Sequence, residues 1–378
     1  MAIAQMRFRM SCPDDVVPPA EKAKDKAEFL RIVKEHNNVH VYDAVCQELS
    51  WKPDESVRQP MLEANQAKLK ELEDKILDAE ENLGENEVRE AMVVKAQFLS
   101  RIGDKDKALE AFSTAESHPK TTTGQKMDIL FSVIRIGLFW RDIDLVKKNV
   151  EKAKVMIEEG GDWERRNRLK VYEAMLNLAV RDFKKGALLL LDSVATFTAT
   201  ELFDYDAFIF YAVTTSVLSL DRKTLKTRVI EAPEVLQVIH KNPALQQFLN
   251  SIYDCQYKEF FQALVDITDA LKRDRFLAPH ARYFIRECRV VAYHQFLEPY
   301  KSVRLPSMAA SFGVGVEFMD RELGDFVSSG RLSCKIDKVS GIVESNRPDC
   351  QNSLYQQTIK QGDLLLNRIQ KISRVITI

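Results

Sequence analysis

The sequence predicts a mainly α-helical protein: a right-handed, TPR-like helical-repeat solenoid, then a winged-helix module and a long C-terminal helix. Three observations predict it. Polar turns containing Asp recur at near-constant intervals between apolar helical stretches; the pattern switches from helical to alternating spacing after Leu305-Pro306; and an apolar stripe at helical spacing closes the chain.

Residues 1–60 form a variable N-terminal helical segment. Pro13, Pro18 and Pro19 punctuate its start, and helices are expected over 21–37 and near 42–49. Residues 61–84 read as one long charged helix, with Leu62, Leu69, Leu72, Ile76, Ala79 and Leu83 at three- and four-residue steps and Asn65 filling the remaining position. Its other faces carry Lys68, Lys70, Glu71, Glu73, Asp74, Lys75 and Asp78. That charge suits a solvated helix lying on a neighbour, and a dimeric coiled coil would need more heptads.

Residues 85–300 carry the repeats. The turns are Gly103-Asp104, Arg141-Asp142, Arg181-Asp182, Leu220-Asp221 and Tyr253-Asp254, so their Asp residues are 38, 40, 39 and 33 positions apart. Those spacings match helix-pair units, in which each pair needs its neighbours to bury its apolar face. Asp at such a turn accepts the free N–H groups of the next helix, and small residues such as Ala108, Ala111 and Ala187 let paired helices approach.

Residues 301–348 form the winged helix. Met308, Ala309 and Phe312 mark a short helix closed by Gly313, and Val316, Met319, Leu323, Phe326 and Val327 mark a second one ended by Gly330. Leu332, Cys334 and Ile336 then alternate with Ser333, Lys335 and Asp337, and a second strand follows Gly341 at 342–345. A two-stranded wing has an edge of unpaired N–H and C=O groups, so Leu332, Ser333, Cys334, Lys335 and Ile336 are candidates for joining a partner strand. On this reading, proline at Ser333 or Lys335 removes an edge donor. Residues 349–378 form the last helix, and its stripe of Ile359, Leu366, Ile369, Ile372 and Ile376 is the second candidate partner surface.

Composition narrows the function. Fifty-five Lys plus Arg against 56 Asp plus Glu leave a net charge of -1, so no global positive field draws in nucleic acid. The winged helix repeats this locally: its second helix carries Glu317, Asp320, Glu322 and Asp325 against Arg321, with Arg331, Lys335 and Lys338 a small counterweight in the wing. Protein is therefore the expected partner, with neither nucleic acid nor membrane. The most apolar runs, 129–140 and 207–220, are shorter than the roughly 20 residues that span a bilayer. Six cysteines without a CxxC pair indicate reduced thiols in cytoplasm or nucleus.

No catalytic, cofactor-binding or metal-binding residue is expected. His36 and His40 stand four apart but lack a third ligand, and two histidines on a surface helix account for them. Gly313-Val314-Gly315 does not complete a nucleotide loop and follows a helix; its glycines permit a tight connection. Neither Cys255 nor Cys288 has a local His at nucleophile-activating spacing, and both read as buried or idle thiols.

Several runs also resemble a known family. They are 312–318 (FGVGVEF), 330–339 (GRLSCKIDKV), 346–349 (NRPD), 362–368 (GDLLLNR), 160–172 (GGDWERRNRLKVY), 101–105 (RIGDK) and 79–85 (AEENLGE). From about residue 60 to the end these resemble the PCI-domain family of non-ATPase regulatory subunit 6 in the proteasome lid; the first sixty residues resemble it less clearly. The resemblance implies a non-catalytic scaffold subunit supporting ubiquitin-dependent protein degradation. It further implies a hetero-oligomer with other PCI lid subunits, joined through winged helix and C-terminal helix, and with the proteasome base. The isopeptidase of the lid belongs to a different subunit with a His-x-His motif, and this sequence has no such triplet. A PCI scaffold of the COP9 signalosome or of a translation-initiation complex would share the fold, as would a nucleic-acid-binding PCI adaptor.

Overall fold

The computed structural model describes all residues except 120, 159, 161, 346–349 and 377–378, and it describes no side chains at 350–353 and 375–376. The chain divides into two compact units. The first is Met1–Tyr253 with Gln262–Ile285, and the second is Asp254–Phe261 with Arg286–Ile378.

The first unit is a succession of helices: α1 (Ala2–Ser11), α2 (Pro19–His36), α3 (Val39–Glu48), α4 (Glu55–Asn82), α5 (Glu85–Ile102), α6 (Lys105–Ser117), α7 (Thr123–Trp140), α8 (Ile143–Glu158), α9 (Trp163–Ala179), α10 (Phe183–Ser193), α11 (Tyr205–Ser219), α12 (Arg222–Leu225), α13 (Pro233–Ile239) and α14 (Pro243–Tyr253). The unit boundary passes through α15 (Tyr257–Arg273) and α16 (Ala281–Leu297).

One local device builds the pairs α5/α6, α7/α8 and α9/α10. Gly103, Arg141 and Arg181 take left-handed backbone (φ 88°, 59° and 72°), and the next residue's N–H returns to Leu99, Gly137 and Asn177 carbonyls at 3.2, 2.9 and 2.8 Å. That closes the first helix as a Schellman turn. The same Asp then opens the second helix: Asp104, Asp142 and Asp182 accept from the N–H groups of Lys107, Leu145 and Lys185 at 3.2, 3.1 and 3.2 Å. Gly103 has no alternative, since a Cβ there would lie 2.5 Å from Val41 Cγ2. Arg141 and Arg181 tolerate the strained conformation because their side chains are engaged. Arg141 donates to the Arg275 carbonyl and lies over Phe8, while Arg181 reaches His280 Nδ1 at 3.2 Å and lies over Tyr283.

The device changes at the last two predicted turns. Asp221 makes no side-chain cap, and the single turn of α12 runs on into a π-helical turn at Lys226–Ile230. Near Tyr253-Asp254 the left-handed residue is Cys255 (φ 61°), and α14 is capped instead by Asn242, whose Oδ1 accepts from Leu245.

The long charged helix begins earlier than predicted, because Asp54 caps it by accepting from Ser56 N–H at 3.1 Å. Met61, Asn65, Leu72 and Ala79 are its buried seam, and Leu83 lies outside it, exposed. Asn65 is satisfied by donating to the Asn37 carbonyl at 2.8 Å. The N-terminal segment is bonded to residues far along the chain: Gln5 donates to the Arg273 carbonyl at 2.7 Å and accepts from Arg275 N–H, and Arg273 donates to the Val16 carbonyl.

The second unit contains β1 (Ser302–Arg304), α17 (Leu305–Phe312), α18 (Val316–Ser328), β2 (Cys334–Asp337), β3 (Ile342–Ser345) and α19 (Cys350–Ile376). Its sheet has three strands in the order β1-β3-β2, both pairings antiparallel, which corrects the two-stranded wing. Phe312 centres the core, its ring 4.8 Å from Tyr257 and Tyr293, 5.2 Å from Phe261 and 5.4 Å from Phe296. Gly313 (φ 68°) closes α17, where a Cβ would press on Lys258.

Candidate protein-interaction surfaces

The second unit exposes two kinds of surface, and the first is a strand edge. Ser345 of β3 donates to the Lys301 carbonyl at 2.9 Å and Leu305 donates to that of Gly341, so residues 341, 343 and 345 turn their backbone groups toward β1. Alternate residues of an antiparallel strand face opposite sides, so Ile342 and Glu344 face β2, opposite Asp337 and Lys335. Lys335 and Asp337 are therefore bonded inward, and Cys334 and Ile336 direct their N–H and C=O groups along the outer edge. This corrects the expectation that proline at Lys335 would remove an edge donor; Ser333 precedes the strand.

The side chains around this edge divide cleanly. Leu332 and Cys334 are buried in the unit, and burial pushes the Cys334 thiol pKa up. Their side chains are therefore off the surface, and the Leu332 N–H is bonded to the Phe326 carbonyl at 3.2 Å. Ile336 is half-buried and Lys335 exposed. At the turn between β2 and β3, Val339 is 99% exposed, a residue the sequence pattern passes over because one valine in a polar turn gives no periodic signal.

The second surface is α19. Ile359, Leu366, Ile369 and Ile372 are 52% to 62% exposed, and the side chain of Ile376 lies outside the described residues. Leu354, Tyr355, Leu364 and Leu365 are exposed as well. At 100° per residue, Leu354, Tyr355, Ile359, Leu365, Leu366, Ile369 and Ile372 fall on one face, with Lys360, Asp363, Asn367 and Lys371 opposite. The apolar face is thus wider than the five-residue stripe read from sequence, and Leu365 was legible four residues before Ile369.

The acidic residues of α18 lie only partly on its surface. Glu317 and Asp325 are exposed, and Asp320 pairs with Lys338 at 3.1 Å. Glu322 is turned inward, contrary to its inclusion in a surface acidic row: it accepts from the Tyr293 hydroxyl and pairs with Arg289 at 2.7 Å.

The histidine pair is also resolved differently. α2 ends at His36, with Asn37 left-handed (φ 55°), so His36 and His40 do not share a helix. His36 Nδ1 bonds Arg101 at 2.6 Å, and His40 faces Asp104 at 3.6 Å. Among the described residues no three His, Cys, Asp or Glu side chains are placed to hold a metal ion. Cys288 is buried with its thiol pKa pushed up by desolvation, the opposite of an activated nucleophile. Among the described residues no helix is long and apolar enough to cross a membrane.

Helical pairs, a winged helix with an open strand edge and an apolar-faced terminal helix together define a PCI-domain scaffold protein, and residues 259–347 match the PCI domain model. Residues 54–228 match the model of the 26S proteasome subunit RPN7, and 355–376 that of the 26S proteasome regulatory subunit RPN7/PSMD6 C-terminal helix. The chain belongs to the 26S proteasome non-ATPase regulatory subunit 6 (RPN7) family. It is 51% identical over 376 residues to the 26S proteasome non-ATPase regulatory subunit 6 homolog of Arabidopsis thaliana, covering 100% of this chain and 96% of that one. The Dictyostelium discoideum subunit 6 is 49% identical over 93% of this chain and 92% of its own. Saccharomyces cerevisiae regulatory subunit RPN7 is 39% identical over 94% and 89%. The Arabidopsis match spans the first sixty residues as well, and together the matches favour the proteasome over the signalosome, translation-initiation and nucleic-acid readings.

Proposed function

We propose that this chain works as a non-catalytic scaffold of the proteasome lid, in cytoplasm and nucleus, and supports ubiquitin-dependent degradation by holding other PCI subunits. One joint is the outer edge of β2, which extends a neighbour's sheet. The other is α19, which enters a helical bundle with partner helices and brings the lid toward the proteasome base. The observation that carries this reading is the apolar face of α19, solvent-exposed from Leu354 to Ile372. Burying one Leu or Ile contributes about 1.5 to 3 kcal/mol, so several together outweigh the cost of ordering the helix in a complex.

The experiment is deletion of residues 354–378 in the chain expressed with the other lid subunits. The expected result is a soluble, helical protein absent from the assembled lid on native gels and in copurification. Normal incorporation would overturn the reading. Assays on ubiquitin chains and ATP test the scaffold role separately: turnover by the isolated chain that a point mutation in it abolishes would make it an enzyme.

A further inference from the structure

Three successive pairs of the first unit each contribute an arginine to one cavity of about 430 Å³: Arg89 from α5, Arg135 from α7 and Arg168 from α9. Glu90, Asp128 and Glu201 complete its charged lining. These carboxylates are already engaged. Asp128 takes both Arg165 contacts, at 3.1 and 2.9 Å. Glu201 accepts from the Tyr172 hydroxyl at 2.9 Å and lies 3.7 Å from Arg168 Nε. Glu90 is exposed and reaches Arg89 at only 3.5 Å.

Two of the arginines, by contrast, have donors to spare. Arg89 is 4% exposed and its ion-pair contact among the described residues is the long one to Glu90; Arg168 is already held, its Nη2 donating to Glu164 Oε1 at 3.0 Å. Arg135 donates to Ser132 Oγ at 2.9 Å and forms no ion pair among the described residues. A guanidinium keeps its charge and five N–H donors, so leaving them unused in a buried cavity is unfavourable until an acceptor enters.

We propose that this cavity binds a small phosphoryl oxyanion, free phosphate or a phosphate monoester, clamped by Arg89 and Arg135 with Arg168 beside them. The guanidinium fork matches phosphate oxygens two at a time, and a tetrahedral dianion offers acceptors to several arginines at once where a carboxylate serves one. The cavity volume lies within the range of small-molecule sites, about 300 to 1,000 Å³. The binding is independent of the scaffold role and uses neither strand edge nor terminal helix.

Isothermal titration of the purified full chain with inorganic phosphate and with phenyl phosphate, at constant ionic strength against chloride, tests it. Saturable binding is expected for at least one of them, weakened tenfold or more by Arg89→Gln and by Arg135→Gln, and unchanged by Lys147→Gln, a residue exposed on the surface of α8. Tighter binding of phenyl phosphate identifies a monoester site, and equal or weaker binding a free-phosphate site. Circular dichroism checks each variant, and should Arg89→Gln misfold, the half-buried Arg135 decides. Heats that never saturate, equal affinity in Arg135→Gln, or binding of a polyglutamate peptide without phosphate would overturn the proposal.

Discussion

Lys335 stands opposite Glu344 in the β2–β3 ladder, so its backbone is bonded into the sheet while that of its neighbour Ile336 points outward. The two positions therefore respond oppositely to proline. Ile336→Pro should leave the unit folded, because an outward N–H has no intramolecular bond to lose, yet should weaken lid incorporation. Lys335→Pro should destabilise the sheet itself. Thermal melts and native gels separate the two, with Ile336→Val controlling for packing; full incorporation of Ile336→Pro would remove the edge as a joint.

Changing Leu366 and Ile369 together to Asp should leave the melting temperature of the isolated chain nearly unchanged. Both side chains are more than half exposed, and surface changes away from special features usually stay within about 0.5 kcal/mol. Lid assembly should nevertheless fail. Unfolding of the isolated double variant would show that the stripe belongs to the protein's own core.

Gly103→Ala should destabilise the first unit. The left-handed backbone costs a non-glycine residue about 1 to 3 kcal/mol, and the new methyl would also press on Val41. Chemical denaturation should show a lower midpoint with unchanged slope. An unaltered midpoint would mean that α3 and α5 separate easily there.

Asp142 both caps α8 and bonds Lys105 at 2.7 Å. The Lys105 bond, and then the Leu145 N–H, hold its carboxyl below the ordinary aspartate pKa. Because the folded value is the lower one, the stabilisation is present above the unfolded pKa and is lost as pH falls through the folded value. Asp142→Ala should cost about 1 kcal/mol at neutral pH, the usual loss for a cap, and the difference from the parent chain should shrink in acid. Melts from neutral pH to about pH 3 would reveal it, and a pH-independent difference would assign the loss to packing.

Much of this architecture was legible because it is local. A Schellman turn and an Asp cap need only a few consecutive residues, so Gly103-Asp104, Arg141-Asp142 and Arg181-Asp182 announced three helix pairs, and a 3.6-residue stripe announced α19 whatever it packs against. β1 was missed because three residues, Ser302–Arg304, hold too little alternation to mark a strand until β3 lies beside them. The fate of residues 1–17 was invisible for a related reason, since Gln5 meets Arg273 and Arg275 only when the helices between them have stacked.

By itself, then, the sequence determined most of the helical stretches, where most helix pairs turn and which faces are apolar, all consequences of backbone geometry over a few residues. Tertiary structure alone decided that Glu322 turns inward to Tyr293 and Arg289, that Lys335 faces the sheet while Ile336 faces out, and that arginines 46 and 33 positions apart, Arg89, Arg135 and Arg168, line one cavity. Each of these depends on which elements come to lie side by side, and periodicity within one element carries no information about its neighbour.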